Sequence, residues 1–404
     1  IERDLRLLGG SDLLDLVDVV NVGQLARRLV NDADPNAPAP RMADSVRELW
    51  QQIIDEEGLD YSEPFLDAEF EQVVLAQNIS SRADYFQAQR RGRGIRLDRR
   101  ARAEVWKAIE LFTQHLVQSN SRTFLQLAEA AAGYLNQRTE RPYQHVIVDE
   151  AQDLHEAQWH LLRAAVSEGP NDMFIVGDSH QRIYSRRSSL KREGIDIVGR
   201  SAKLRINYRT SAQILSWAMA LLGEEVYDDL SDGTDEQILG GYHSLLSGEP
   251  PVTCAASSAK EQADGLVEQV RVWLDDRTIE PENIGITARS EGSLNAVVTA
   301  LDAAGLSYTK LGRDLKSGRG IQLGNMHRLK GLEFRCVAVF DCDDSRIPNH
   351  YALTDKAEDE LQHRLDLQLE RCLLYVASTR ARNHLWVGWS GKPSRFLGPI
   401  IGDS

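Results

Sequence analysis

A short apolar run at positions 145–148, "HVIV", leads straight into Asp149 and Glu150. A strand that ends in an acidic pair puts both carboxylates where open α/β sheets place reactive groups. There, one carboxylate can help hold a hydrated divalent cation, and its neighbour can polarise a water for attack on a phosphoryl group. A solvated loop after a strand would look the same in isolation. "FIVGDSHQRIY" (174–184) repeats the layout: a buried-strand pattern, Gly177-Asp178, then Gln181. A neutral amide at that place can hold water or read a terminal phosphate. The plain alternative is a turn with Asp178 as a helix N-cap.

Three further stretches carry groups suited to a nucleotide or a polyanion. "LRINYRT" (204–210) sets Tyr208 and Arg209 between a strand and a helix. An aromatic ring can stack on a base, and a guanidinium can grip phosphate through two hydrogen bonds. "GNMHRLKGLEF" (324–334) runs from a strand through a polar turn with Gly331 to Glu333. "LLYVASTRARNHLWV" (373–387) places Thr379, Arg380 and Arg382 between a helix and a strand. Cations at a helix C-terminus often serve only the helix dipole, and that is the expectation for Arg382.

The elements that must position these residues follow from periodicity. Strands are expected at 145–149, 172–178, 202–207, 252–256, 284–289, 320–325, 336–341 and 384–389, with helices at 211–222, 259–276, 291–304 and 358–382. Strands separated by helices imply parallel sheets, hence an α/β protein. The opening reads helix, strand ("VDVVNV", 17–22), helix. "NDADPNAPAPR" (31–41) is a helix-breaking linker. From there to about Arg138 apolar residues recur three and four apart, a helical pattern. The division expected is 1–34 with 121–200 as a first sheet domain, 35–120 as a helical insertion, and 201–404 as a second sheet domain.

Composition narrows the partners. The 404 residues carry a formal net charge of −14, which excludes a basic coat for nucleic acid but leaves room for a local groove. Eight arginines between Arg82 and Arg102 stand against only Asp84 and Asp98. They read either as solvated helix faces or as a phosphate-binding arm. Four cysteines without C-x-x-C spacing argue against a disulfide framework or a zinc site, and suggest a reducing cytoplasm. No run of about 18 apolar residues occurs, so no membrane span is expected.

Taken in order, "VDEAQD", "VGDSHQRIY", "LRINYRT", "MHRLKGLEF" and "LLYVASTRA" resemble motifs II to VI of the UvrD/Rep-type superfamily 1 DNA helicases. The resemblance implies two RecA-like parallel-sheet domains, the first with a helical insertion, and ATP with Mg²⁺ between them. It implies that Asp149 helps hold Mg²⁺, Glu150 activates water, and Gln181 links the γ-phosphate to the DNA side. Tyr208 would stack on adenine, Arg209 would touch the γ-phosphate, Gly331 would lie by the phosphates, and Glu333 would bond the ribose. Arg380 would act as an arginine finger. Asn21, Gln24, Asn325, His327 and Arg328 would face single-stranded or partly duplex DNA. Arg186 stands near the place of a base-stacking aromatic, and Asn325 stands where Thr is more usual. The function implied is ATP-dependent 3′→5′ translocation or unwinding of DNA by a cytoplasmic protein. The alternative is a non-catalytic DNA-binding or partner-docking module on a degenerate ATPase fold.

Two departures qualify this. No G-x-x-x-x-G-K-[ST] phosphate loop occurs in the sequence. The family places it upstream of Ile1, so the chain is expected to begin after that loop and to lack ATP hydrolysis by itself. The 122 positions from Arg209 to Gly331 also leave little room for the bulky extra domain of the larger relatives, which is expected to be absent or vestigial.

Overall fold

A computed structural model describes residues 5, 7, 12, 14–90, 93, 95–183, 190–191, 193–197, 199–223, 242–312, 318–357 and 359–401. The chain divides into two compact units, one of residues 1–177 and 186–197, the other of 178–185 and 198–404.

In the first unit the helix Val22–Ala33 packs on Phe124–Asn136, which packs in turn on Glu156–Ala164. Between them lies a helical segment: Ala43–Glu57, Glu63–Glu69 running on as a π-helix to Leu75, Arg82–Gln87 and Arg99–Gln118. It has its own core, where Trp50 stacks on Phe112 with ring centroids 4.0 Å apart and Phe70 meets Phe112 edge-on at 5.0 Å. Two short strands, β1 (Ala39–Pro40) and β2 (Ser121–Arg122), pair in parallel and close the neck of this segment. The parallel pair β3 (Val146–Val148) and β4 (Met173–Ile175) carries the acidic motif. Ile147 and Phe174 on this pair are 76% and 64% exposed, so one of its apolar faces is bare among the described residues.

The expected strand at 17–22 does not form. Residues 17–21 have no regular structure, and Asn21 caps a helix that starts at Val22. The Asn21 side chain accepts from the Gln24 N–H at 2.8 Å, and the Gln24 side chain returns to the Asn21 N–H at 3.5 Å. This reciprocal cap favours a helix start over continued extension of the β-branched run.

The second unit is built on one six-stranded parallel sheet. A separate two-stranded piece, β5 (Ile206–Asn207) with β6 (His243–Ser244), is all that forms of the strand expected at 202–207. The sheet strands are β7 (Val252–Ala256), β8 (Ile284–Ala288), β9 (Tyr308–Lys310), β10 (Ile321–Asn325), β11 (Phe334–Phe340) and β12 (Ala381–Ser390), in the spatial order β7-β12-β11-β8-β10-β9. Alternation along β11 shows why both faces are covered. Cys336, Ala338 and Phe340 join the core under helices Ala259–Asp275 and Glu291–Ala304. Val337 and Val339 join the core under Ala212–Leu222 and Glu360–Ser378. Opposite faces of one strand bury in opposite layers, as a doubly covered parallel sheet requires. A Cβ on Gly285 of β8 would lie 2.6 Å from the Phe334 ring, so that close approach needs glycine. The protein is thus α/β with parallel sheets. β9 lacks any sequence signal because it is only three residues long.

Residues 178–185, placed with the first sheet domain by sequence, group with the second unit. The turn Ser179–Gln181 packs on helix Glu360–Ser378, and Ile183 is buried in the same core as that helix.

Candidate active site

In the first unit, Asp149 and Glu150 emerge at the C-terminal end of β3. Glu150 has φ 53°, the left-handed region, which costs a non-glycine residue about 1 kcal/mol or more. The strain is held by three bonds. The Glu150 N–H donates to Asp149 Oδ1 at 2.9 Å, and Gln152 Nε2 donates to Glu150 Oε2 at 2.6 Å. The Ala151 N–H donates to the Val176 carbonyl at 3.0 Å, tying the turn to the end of β4. Asp149 is exposed and Glu150 is half-buried. No group of three or more His, Cys, Asp or Glu able to hold a metal occurs among the described residues. A lone exposed carboxylate suits a cation whose other ligands are water and phosphate, the usual arrangement for Mg²⁺.

In the second unit four segments distant in sequence meet. Phe334 of β11 faces Ala381 of β12, and the Phe334 N–H donates to the Arg380 carbonyl at 3.0 Å. Thr210 Oγ1 donates to the Thr379 carbonyl at 3.2 Å, and the Ser211 N–H donates to the Arg382 carbonyl at 3.1 Å. Residues 208–211, 331–334 and 379–382 are therefore neighbours. Arg380 is 2% exposed, and its Nη2 donates to Gln181 Oε1 at 3.0 Å, which brings in the fourth segment. Its Nε donates to the Val376 carbonyl at 3.1 Å, so the guanidinium is fixed from two sides.

Gln181 is itself held. Its Nε2 donates to Asp178 Oδ2 at 2.9 Å, and Lys330 Nζ donates to its backbone carbonyl at 2.7 Å. Asp178 is an N-cap as well, accepting from the His180 N–H at 3.0 Å. Burial raises the Asp178 carboxyl, but the bonds from His180 and Gln181 outweigh it and leave the group below the usual carboxylate range. Asp178 is thus both a cap and the support of Gln181, so the two alternatives raised by sequence are compatible.

Arg209 and Glu333 form an ion pair, Nε to Oε2 at 3.0 Å, and Arg382 Nη1 approaches Glu333 Oε1 at 3.5 Å. All three side chains are about half exposed, so the pairs are open to exchange with an incoming anion. Arg382 corrects the sequence reading: it lies in β12, opposite Glu333, and is not a partner of a helix dipole. Tyr208 is 67% exposed beside this cluster. Gly331, with φ 78°, turns the chain so that Leu332 can offer its carbonyl to Arg380 Nη1 at 3.5 Å.

The residues read as facing a nucleic acid are spread over both units. Asn21 and Gln24 in the first unit use their side-chain oxygens in the capping box and keep their amide nitrogens outside it. Arg186 lies outside the described residues. In the second unit Asn325 caps the turn Met326–Leu329, accepting from the Arg328 N–H at 3.1 Å. Burial first, then the Arg289 guanidinium, pushes the His327 imidazole down to about 4, so it is neutral at physiological pH. Arg289, at the end of β8, forks onto Glu370 with Nη2–Oε1 2.7 Å and Nε–Oε2 2.9 Å. Arg289 and Glu370 carry no local signal because they pair across 81 positions, and the part played by Lys330 shows only through a carbonyl 149 positions away.

The arginine cluster of the helical segment divides. Arg90 and Arg93 are buried against Glu69, with Nε to carboxylate distances of 2.6 and 3.1 Å. Arg102 Nη1 donates to the Tyr85 and Phe86 carbonyls at 2.7 and 3.0 Å. These three hold the fold of the segment. Arg82, Arg96, Arg99 and Arg100 are exposed, and Arg91 lies outside the described residues.

Two family sequence models match the chain in order. The UvrD/REP helicase N-terminal domain matches residues 22–192, and the UvrD-like helicase C-terminal domain matches 293–392. A Mycoplasma pneumoniae protein named "Probable DNA helicase" is 25% identical over 296 residues, 70% of this chain and 50% of that protein. The ATP-dependent DNA helicase UvrD1 of Mycobacterium tuberculosis is 27% identical over 183 residues, 43% of this chain and 23% of its own. UvrD2 of Mycobacterium bovis is 37% identical over 92 residues, 20% of this chain and 12% of its own. The chain spans about half the length of the first of these relatives and less of the others. With N-terminal and C-terminal domain patterns matched in order over well more than half of its length, this protein belongs to the UvrD/Rep-type superfamily 1 helicase family.

Proposed function

We propose that the whole protein is an ATP-dependent DNA helicase or translocase, moving 3′→5′ on single-stranded or partly duplex DNA. The observation that carries this reading is the convergence of Gln181, Arg209, Glu333 and Arg380 in one cluster of the second unit. Two guanidiniums, one buried and fixed and one exposed and exchangeable, suit the charge of a triphosphate. Arg380 is already oriented by Val376 and Gln181, so it needs little reorganisation to stabilise a developing phosphoryl charge. Arg209 trades Glu333 for phosphate, and the freed Glu333 becomes an acceptor for a ribose hydroxyl. Tyr208 offers an exposed ring for adenine. Asp149 helps hold Mg²⁺, which when bound neutralises phosphate charge, and Glu150 orients the attacking water. We assign the polar groups at 325–328, with Asn21 and Gln24, to the DNA.

These 404 residues hold no G-x-x-x-x-G-K-[ST] loop, so hydrolysis is assigned to the whole protein. We place its work in the cytoplasm, the compartment that holds the chromosome in bacteria such as those of the relatives it matches. The domain division proposed is a helical insertion at 35–120 within a first RecA-like domain, followed by a second from about 201.

The test is steady-state ATP hydrolysis by the whole protein with and without single-stranded DNA. Stimulation of about tenfold or more, abolished by Glu150→Gln, is expected. Hydrolysis that ignores DNA would overturn the reading.

A further inference from the structure

Glu333 has two oxygens and two arginine partners. Arg209 Nε lies 3.0 Å from Oε2, and Arg382 Nη1 lies 3.5 Å from Oε1. In the function proposed above Arg209 and Glu333 have tasks and Arg382 has none. An ion pair between half-exposed side chains contributes little to folding, so stability is a weak account of its position.

That position is built into the backbone. Along the β11–β12 ladder Phe334 pairs with Ala381 and Cys336 pairs with His384, so β12 holds one residue more than β11 over this interval. The extra residue falls at Arg382–Asn383, and both side chains are exposed. A bulge of this kind bends a strand and re-aims a side chain. The Arg382 carbonyl accepts from the Ser211 N–H at 3.1 Å, which ties the bulge to the segment that carries Arg209. Ser211 is in turn the N-cap of the helix Ala212–Leu222.

The pairing allows a handover. When Arg209 turns to phosphate, Glu333 loses its nearer cation just as an anion arrives. A carboxylate stripped of its partner beside a triphosphate is repelled by it, or takes up a proton and becomes a weaker acceptor. Arg382 prevents both outcomes. It stays on Oε1 and leaves Oε2, the oxygen that Arg209 vacates, open to a sugar hydroxyl. Two arginines sharing one oxygen would block that exchange; here each has its own.

We propose that Arg382 is a positioning residue for sugar recognition. It keeps Glu333 charged and oriented while Arg209 is engaged with phosphate, and so sets the preference of the site for a ribonucleoside triphosphate. This rests on the assignment of Glu333 to the ribose given above.

The experiment measures steady-state, DNA-stimulated hydrolysis of ATP, 2′-deoxy-ATP and 3′-deoxy-ATP by the whole protein, in the parent and in Arg382→Gln, Arg382→Lys and Glu333→Gln. The parent should prefer ATP over at least one deoxy analogue by about tenfold in kcat/KM, the size of one hydrogen bond to a charged group. Arg382→Gln should raise KM for ATP by roughly fivefold to tenfold, with kcat within about twofold. On the analogue that lacks the recognised hydroxyl it should match the parent, so the preference collapses. Arg382→Lys should keep most of the preference, because a cation near Oε1 is what the role requires. Its side chain is half-exposed, so Arg382→Gln should melt with the parent. If Glu333→Gln loses the preference and Arg382→Gln keeps it, Arg382 has no such role and the ribose assignment stands. Equal losses on all three nucleotides would make Arg382 a general phosphate contact or a structural residue, and would also overturn the proposal. If the parent shows no preference, or Glu333→Gln retains it, the ribose assignment fails and this inference with it.

Discussion

At the scale of single residues, Arg380 is the side chain whose environment says most about its task. It is buried to 2% exposure, and its guanidinium donates to two carbonyls and to the Gln181 amide oxygen. Donors fixed in this way need little reorganisation to meet a developing phosphoryl charge. Arg380→Ala is therefore expected to lower kcat for ATP hydrolysis by about 10³-fold in the whole protein. Arg380→Lys should not rescue it, because an ammonium cannot reproduce three separately directed N–H groups. Rapid-quench hydrolysis with saturating DNA would check both. The residues of this cluster were largely legible in the sequence, since each falls in a short run where strand, turn and polar side chain are contiguous. Lys330 and Asp178 were less so: one acts on a backbone carbonyl 149 positions away, the other by supporting Gln181 as well as capping its turn.

Elements show a different balance. The helical segment is held by Glu69, fully buried, which accepts from Arg90, Arg93 and the Tyr85 hydroxyl. Burial raises the Glu69 carboxyl, but the two guanidiniums and the phenol outweigh it and leave it below its ordinary value of 4.5. A depressed carboxylate contributes stability that is present above pH 4.5 and lost as pH falls through the folded value. Glu69→Ala leaves two buried cations facing an empty place and should destabilise the segment by roughly 3–5 kcal/mol, read by denaturant unfolding followed at Trp50. This network was invisible in the sequence, where Arg90 and Arg93 looked like part of a basic stripe, because their partner lies 21 and 24 positions upstream. The strand expected at 17–22 failed for a related reason: a β-branched run fixes a local preference, but a strand needs a neighbour, and the Asn21–Gln24 cap gave the backbone another use. For β8, β11 and β12, by contrast, strand patterns separated by helical segments pointed to a parallel sheet.

His160 links three parts of the first unit. Its Nδ1 lies 2.6 Å from Glu129 and its Nε2 2.9 Å from Glu193, joining helices Phe124–Asn136 and Glu156–Ala164 to residues 190–197. Bonds to Glu129 first, then Glu193, raise the imidazole from 6.5 to about 10. A raised histidine contributes stability that is complete below pH 6.5 and lost as pH rises towards about 10. Melting of the parent should fall between those limits, and His160→Gln should remove that slope.

For the whole molecule, a formal charge of −14 means that any nucleic acid is held locally, by cationic patches on an acidic body. Affinity for single strands should then fall steeply with added salt, by about one log unit per log of salt for each phosphate neutralised. A shallow slope in a salt titration would mean that few phosphates are neutralised by the protein. The central proposal is that Gln181 and Arg380, bonded to each other within the second unit, act together on one phosphate. It is tested most directly by a double-variant cycle on DNA-stimulated ATP hydrolysis in the whole protein, with Gln181→Ala, Arg380→Ala and both together. Residues acting as one unit should give a double variant no slower than the worse single variant. Penalties that multiply, or a silent variant at either position, would contradict it.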